Sequence, residues 1–151
     1  MSSSVKGTVA LGLDVGDARI GVARGEHGSS FVFPRGAIRR QGTRHDVERV
    51  AELVAAEGAA EVVVGLPLSL DGNESAQTLK VRNFSEALAQ RLQIDDVRVV
   101  MEDERLTTRI AQRQVGSGPL PRAKRQAKGR LDEASAVLIL ETYLRRQESG
   151  S

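Results

Sequence analysis

The chain has 151 residues, 22 Lys/Arg against 20 Asp/Glu, and no cysteine. That length is most simply one domain, 1–151 with an ordered core over about 6–146, able to bury about two-thirds of the surface its unfolded form exposes. The missing cysteines and the spacing of His27 and His45 exclude a disulfide framework, a thiolate nucleophile and a Cys- or His-based zinc site.

The opening "MSSSVKG" has no apolar stretch of the secretory kind, and no later segment approaches the roughly 20 apolar residues that span a bilayer. A soluble, cytoplasmic protein with no membrane partner is expected. The net charge of +2 is unevenly spread: residues 105–130 hold eight Lys/Arg and no acid, which leaves the rest of the chain at −6. Such a face suits a polyanionic partner, although charge alone fits an ordinary solvated surface equally well.

In chain order, "TVALGLDV" (8–15) reads as a buried strand, followed by strands over 18–26 and 29–38. The short turns between them favour antiparallel hairpins. Val47, Val50, Ala51 and Val54 mark an amphipathic helix, with Thr43 as its N-cap and Gly58 as its stop. "AEVVVGLPL" (60–68) is a continuously apolar strand, as in a sheet covered on both faces. Val81, Phe84, Leu88 and Leu92 then align on a second helix, and "VRVVM" (97–101) is the last strand, with Glu102, Asp103 and Glu104 just past its end. "LTTRIAQRQV" reads as a short helix. The Gly/Pro/basic segment 116–130 reads as a mobile loop, and the apolar "LDEASAVLILETYL" as a buried helix with Asp132 in its first turn. The tail is expected to fray.

The order predicts a three-layer α/β domain. Its mixed five-stranded sheet has three antiparallel N-terminal strands and helices on both faces.

Asp14 lies inside an apolar strand, where an ionised carboxylate costs several kcal/mol unless it is paired or binds a metal. Acids also end the last strand and begin the last helix. Convergent carboxylates without Cys or His suit Mg²⁺ or Mn²⁺, and two such ions serve hydrolysis of a phosphodiester. Each acid has a plainer reading: Asp14 as a turn former, the "EDER" cluster as a solvated loop, Asp132 as a complement to the helix dipole. Asp14, Gly16 and Gly21 could also form a phosphate-wrapping hairpin like that of sugar kinases and actin-like ATPases, but those proteins need two such domains and this chain has room for one.

Taken together, "GLDVGDARIGVA", "EVVVGLPLSLDGNESAQTLKVRNFSEALA", "DERLTT" and "LDEASAVLILETYL" resemble the YqgF/RuvX family, a branch of the ribonuclease H-like and RuvC-like nucleases, from about Val9 to Leu144. The resemblance implies a ribonuclease H-like fold and a site using Mg²⁺ or Mn²⁺, with Asp14, Glu104 and Asp132 as catalytic, metal-binding acids. A fourth acidic or histidine group, general in ribonuclease H and RuvC enzymes, has no single match here, and Asp103 and Glu133 are the accessory candidates. Arg19 and Arg105, each near a proposed acid, become phosphate contacts or site organisers, although an Arg beside an acid is as often a structural ion pair. Arg122, Lys124, Arg125, Lys128 and Arg130 fit a nucleic-acid backbone. The family is associated with maturing the 5′ end of pre-16S rRNA, which is the expected function, and with resolving Holliday junctions, which is the alternative. A non-catalytic nucleic-acid or ribosome-binding module is the third reading. The partner is structured RNA or branched DNA, bound by a monomer or a homodimer.

Overall fold

Both faces of "VALGLDV" are covered: Val9–Val15 forms β1, the central strand of a five-stranded sheet. Leu11, Leu13 and Val15 point to one side, Ala10, Gly12 and Asp14 to the other. The computed structural model describes residues 5–69, 71–104 and 122–149, with the side chains of 131–148 in the last helix. The further elements are β2 (Arg19–Glu26), β3 (Val32–Arg39), α1 (Thr43–Glu57), β4 (Glu61–Leu66), α2 (Ala76–Leu92), a 3₁₀ turn (Gln93–Asp95), β5 (Arg98–Asp103) and α3 (Arg122–Ser149).

The sheet order is β3-β2-β1-β4-β5. β1, β2 and β3 pair antiparallel, whereas β4 runs parallel to both β1 and β5. Parallel neighbours need a long crossover, and α1 and α2 supply the two required. These helices pack together on one face, where Val50, Val54, Phe84 and Leu88 meet Leu11, Leu13, Val62 and Val64. On the other face α3 lays Ala136, Ile139, Leu140 and Tyr143 over Ala10, Ala23 and Val63. Small residues let this helix come close: a Cβ on Gly12 would stand 2.8 Å from the Leu140 Cβ and 2.9 Å from the Ala136 carbonyl oxygen. Among the described residues no helix is long and apolar enough to cross a membrane.

Three local expectations are corrected. Gly42, not Thr43, is the N-cap of α1, and no side chain caps it there. The buried Asp46 does related work one turn in, accepting from the Gln41 N–H at 3.0 Å and the Arg40 Nε at 2.7 Å. Strand β3 starts at Val32 rather than 29, because the Ser29 Oγ accepts the Phe31 N–H at 3.2 Å and holds that stretch in a turn. The largest correction concerns the basic segment. Its residues 122–130 are helical, not a loop, and continue into the helix expected from Leu131. Ala123, Gln126, Ala127 and the surrounding Lys and Arg are strong helix formers, and a helix already anchored by a buried half needs no apolar periodicity in its extension. Residues 105–121, including the short helix expected after Glu104 and Arg105 itself, lie outside the described residues.

The start of α2 is a reciprocal cap. Ser75 Oγ accepts the Thr78 N–H at 3.2 Å while Thr78 Oγ1 accepts the Ser75 N–H at 3.0 Å. Ser75→Ala is expected to cost about 1 kcal/mol, read as a lower urea midpoint at unchanged slope.

Two further features lie away from Asp14. At the opposite end of β4, buried Glu61 receives the Tyr143 hydroxyl at 2.7 Å, lies 2.7 Å from the His27 Nε2 and pairs with Arg98. Burial alone would raise the Glu61 pKa, but hydrogen bonds from Arg98, Tyr143 and His27 outweigh it and hold the carboxyl below its usual range. At the start of the outer strand β3, Phe33 and the preceding Phe31 are exposed and stacked with ring centroids 6.3 Å apart. Beside them, Gly36 donates its N–H to the Glu133 carboxylate at 2.6 Å.

Candidate active site

Asp14 leaves β1 on the α3 side, level with Gly21 of β2. A methyl on Gly21 would overlap the Asp132 carbonyl, so the bare backbone of β2 is what lets α3 bring Asp132 down beside Asp14. Asp14 is partly buried and accepts a hydrogen bond from the Ser135 hydroxyl. Its pKa is pushed from 3.8 up to about 7, first by burial and then by the charge of Asp132, against the opposing Ser135 bond. Two carboxylates from distant parts of the chain therefore share one place at an energetic cost. Perturbation of this kind concentrates at functional sites.

Asp132 is held in turn by Arg19, whose Nε lies 2.9 Å from Oδ2. Because α3 begins at Arg122, Asp132 sits in the helix interior rather than its first turn. The helix dipole gives no reason for it to be acidic, and its neighbours do.

Strand β5 continues through Asp103, and its alternation sorts the acidic cluster. Asp103 is level with Leu66 and turns with it toward the α1/α2 side, away from Asp14. Glu102 and Glu104 turn toward α3, and both are buried. One oxygen of Glu102 pairs with Arg146 at 2.8 Å, whereas Glu104 lies over Gly65 of β4. The structure thus brings Asp14 and Asp132 together and places Glu104 on the same face. It sends Asp103 to the other face and uses Glu133 to tether α3 to β3.

Ser135 was not singled out from the sequence. Its spacing of three from Asp132 puts the two on one helix face, which is the signal that could have found it. The cations Arg122, Lys124, Arg125, Lys128 and Arg130 stand on the helical stretch just before Asp132.

Among the described residues no three His, Asp or Glu side chains stand together at the spacing of a full metal cage. Mg²⁺ does not require one, since it keeps several waters and is bound through one or two carboxylates plus substrate phosphates. An all-oxygen acid pair whose mutual repulsion raises a pKa fits such an ion, because a divalent cation relieves that repulsion.

A family model described as "RuvX: Holliday junction resolvase" matches residues 8–146. A Thermus thermophilus protein named "Putative pre-16S rRNA nuclease" is 46% identical over 134 residues, covering 89% of this chain and 95% of that one. A protein of the same name from Mesorhizobium japonicum is 37% identical over 143 residues, covering 95% and 83%. Among solved structures, Thermus thermophilus RuvC in complex with a Holliday junction substrate aligns over 94% of this chain and 96% of that one, with a TM-score of 0.56 at 16% identity. The fold is therefore RuvC-like, within the ribonuclease H-like class expected from the sequence.

Proposed function

Because the chain belongs to the RuvX family, we propose that it is a divalent-metal-dependent nuclease that hydrolyses phosphodiester bonds of RNA in maturing the 5′ end of pre-16S rRNA. The observation that carries this reading is the Asp14–Asp132 pair, assembled from β1 and α3, where burial first and the charge of Asp132 second push the Asp14 pKa up to about 7. Relatives named for pre-16S rRNA support this choice of substrate.

When bound, two Mg²⁺ or Mn²⁺ ions would supply a hydroxide-like nucleophile at neutral pH and neutralise charge on the leaving oxygen. The chain's own residues divide the remaining work. Asp14 and Asp132, with Glu104 from the same sheet face, would hold the metal. Arg19 fixes the carboxylate of Asp132, and Ser135 fixes that of Asp14. The cations from Arg122 to Arg130, with Arg105, bind the substrate backbone, and recognition is by shape and charge. Replacing Lys124, Arg125 and Lys128 by Gln is expected to lower the slope of log affinity against log salt by about 2–3, since each phosphate contact contributes roughly 0.7–0.9. An unchanged slope in filter-binding titrations would remove this surface from the substrate path.

The family's description favours a second reading, cleavage of four-way DNA junctions, which requires a homodimer presenting two sites to opposed strands. Wild type and Asp14→Asn, each with Mg²⁺ or Mn²⁺, separate the readings on a pre-16S leader RNA, single-stranded RNA and DNA, and a four-way junction. Leader cleavage lost in the variant supports the processing nuclease, and paired symmetric nicks support the resolvase. No metal-dependent cleavage of any substrate leaves a binding module.

A further inference from the structure

Gly65 stands in β4 between two strands that carry acids. In β5 its register partner is Glu102. On the other side Val64 is level with Leu13 of β1, so the next residues along, Gly65 and Asp14, lie side by side on the α3 face. The backbone there is ordinary strand, with none of the positive φ that requires glycine at Gly36 or Gly58. The demand for a missing side chain is therefore steric.

What occupies the space is specific. A Cβ on Gly65 would stand 2.8 Å from Glu104 Oε2 and 3.1 Å from its Cδ, and would overlap the Cδ1 of Ile139. Glu104 follows the end of β5, one strand farther from Asp14, and its backbone N–H bonds to the Leu66 carbonyl at 3.2 Å. Its buried carboxylate nevertheless lies above β4. A side chain at position 65 would take the space that the Glu104 carboxylate and the Ile139 tip now fill.

We propose that Gly65 is a positioning residue whose bare backbone forms the lane by which the Glu104 carboxylate crosses β4 toward the Asp14–Asp132 pair. This deepens the reading above and rests on Glu104 being the third metal-binding acid. Gly21 plays the matching part on the other flank of Asp14, where its own bare backbone admits Asp132. The central acid is thus bordered by a glycine on each neighbouring strand, and each gap is filled by an acid-bearing residue from elsewhere in the chain.

Ile139 offers a competing account, because relief of crowding against it could alone explain a requirement for glycine. Gly65→Ala, Gly65→Ala with Ile139→Val, Glu104→Gln, and Gly65→Ala with Glu104→Gln separate the two. Mn²⁺ affinity is read by titration calorimetry on the full chain, and folding by thermal melts. Gly65→Ala is expected to weaken Mn²⁺ binding roughly 10- to 100-fold, the usual effect of disturbing a ligand's support. Removing the Ile139 Cδ1 should recover the melting temperature but not the affinity. In the Glu104→Gln background, Gly65→Ala should add little, since both changes act through one carboxylate. Recovery of Mn²⁺ affinity with Ile139→Val, or full additivity with Glu104→Gln, overturns the proposal. Wild-type affinity in Glu104→Gln alone overturns it by a different route, since the assignment of Glu104 as a ligand would then itself be wrong.

Discussion

Asp14→Asn is expected to make the protein more stable at pH 8 and to lower its phosphodiester cleavage about 10³-fold. The loss follows from the role assigned to Asp14: removing a metal ligand forfeits several kcal/mol of transition-state charge stabilisation, and each 1.36 kcal/mol is a factor of ten. The gain follows from its pKa. An aspartate raised from 3.8 to about 7 binds its proton more tightly in the folded state than in the unfolded one. Its contribution to stability is therefore complete below pH 3.8 and is lost as the pH rises through 7. At pH 8 the folded protein carries a cost of about 2–4 kcal/mol that a neutral amide does not. In EDTA, Asp14→Asn should melt roughly 4–8 °C higher at pH 8, if the lower figure holds, and the difference should shrink toward zero near pH 4. Equal melting temperatures of the two proteins at pH 8 would mean that Asp14 is comfortably solvated.

Glu61→Ala should be the most damaging single change away from the acids, at about 3–5 kcal/mol, because removing one partner of a buried charged network strands the others. His27 and Tyr143 are buried and lose an acceptor that no water readily replaces, whereas Arg98 is half exposed and can turn to solvent. The held-down pKa of Glu61 adds a pH signature. Stability from this group is complete above its ordinary 4.5 and is lost as the pH falls through its lower folded value, the reverse of Asp14. Glu61 lies four positions before Gly65 on β4, at the far end of the strand from the acids. Chemical denaturation should thus register the full loss while Mn²⁺ affinity of the folded variant stays at the wild-type value. A cost under about 1 kcal/mol would show the cluster to be dispensable.

The strands and the first two helices were legible because their signals are local. Leu11, Leu13 and Val15 alternate, "EVVVGL" is apolar throughout, and Gly58 ends α1 in the left-handed conformation its position implies. Of the site, the resemblance named Asp14, Asp132 and Glu104, and only the geometry shows Asp132 beside Asp14 and Glu104 on the same sheet face. Ending the last strand at Met101 left the alternation of Glu102, Asp103 and Glu104 unread, and with it the fact that Asp103 faces away. The length of α3 was hidden by charge, since a helical stretch whose sequence is mostly Lys, Arg and Ala shows no apolar stripe. Glu133 was unreadable for a third reason: its partner is a backbone N–H 97 positions away, and no spacing encodes that.

That last bond bears on what β3 offers to a neighbouring strand. β3 is an outer strand carrying the exposed Phe33, with the exposed Phe31 just before it, the kind of border on which a foreign strand can template itself. Pro34 has no amide hydrogen to offer such a strand, and the Gly36 hydrogen is already claimed by Glu133. Glu133 thus closes off one backbone donor of that border with a side chain from the opposite layer.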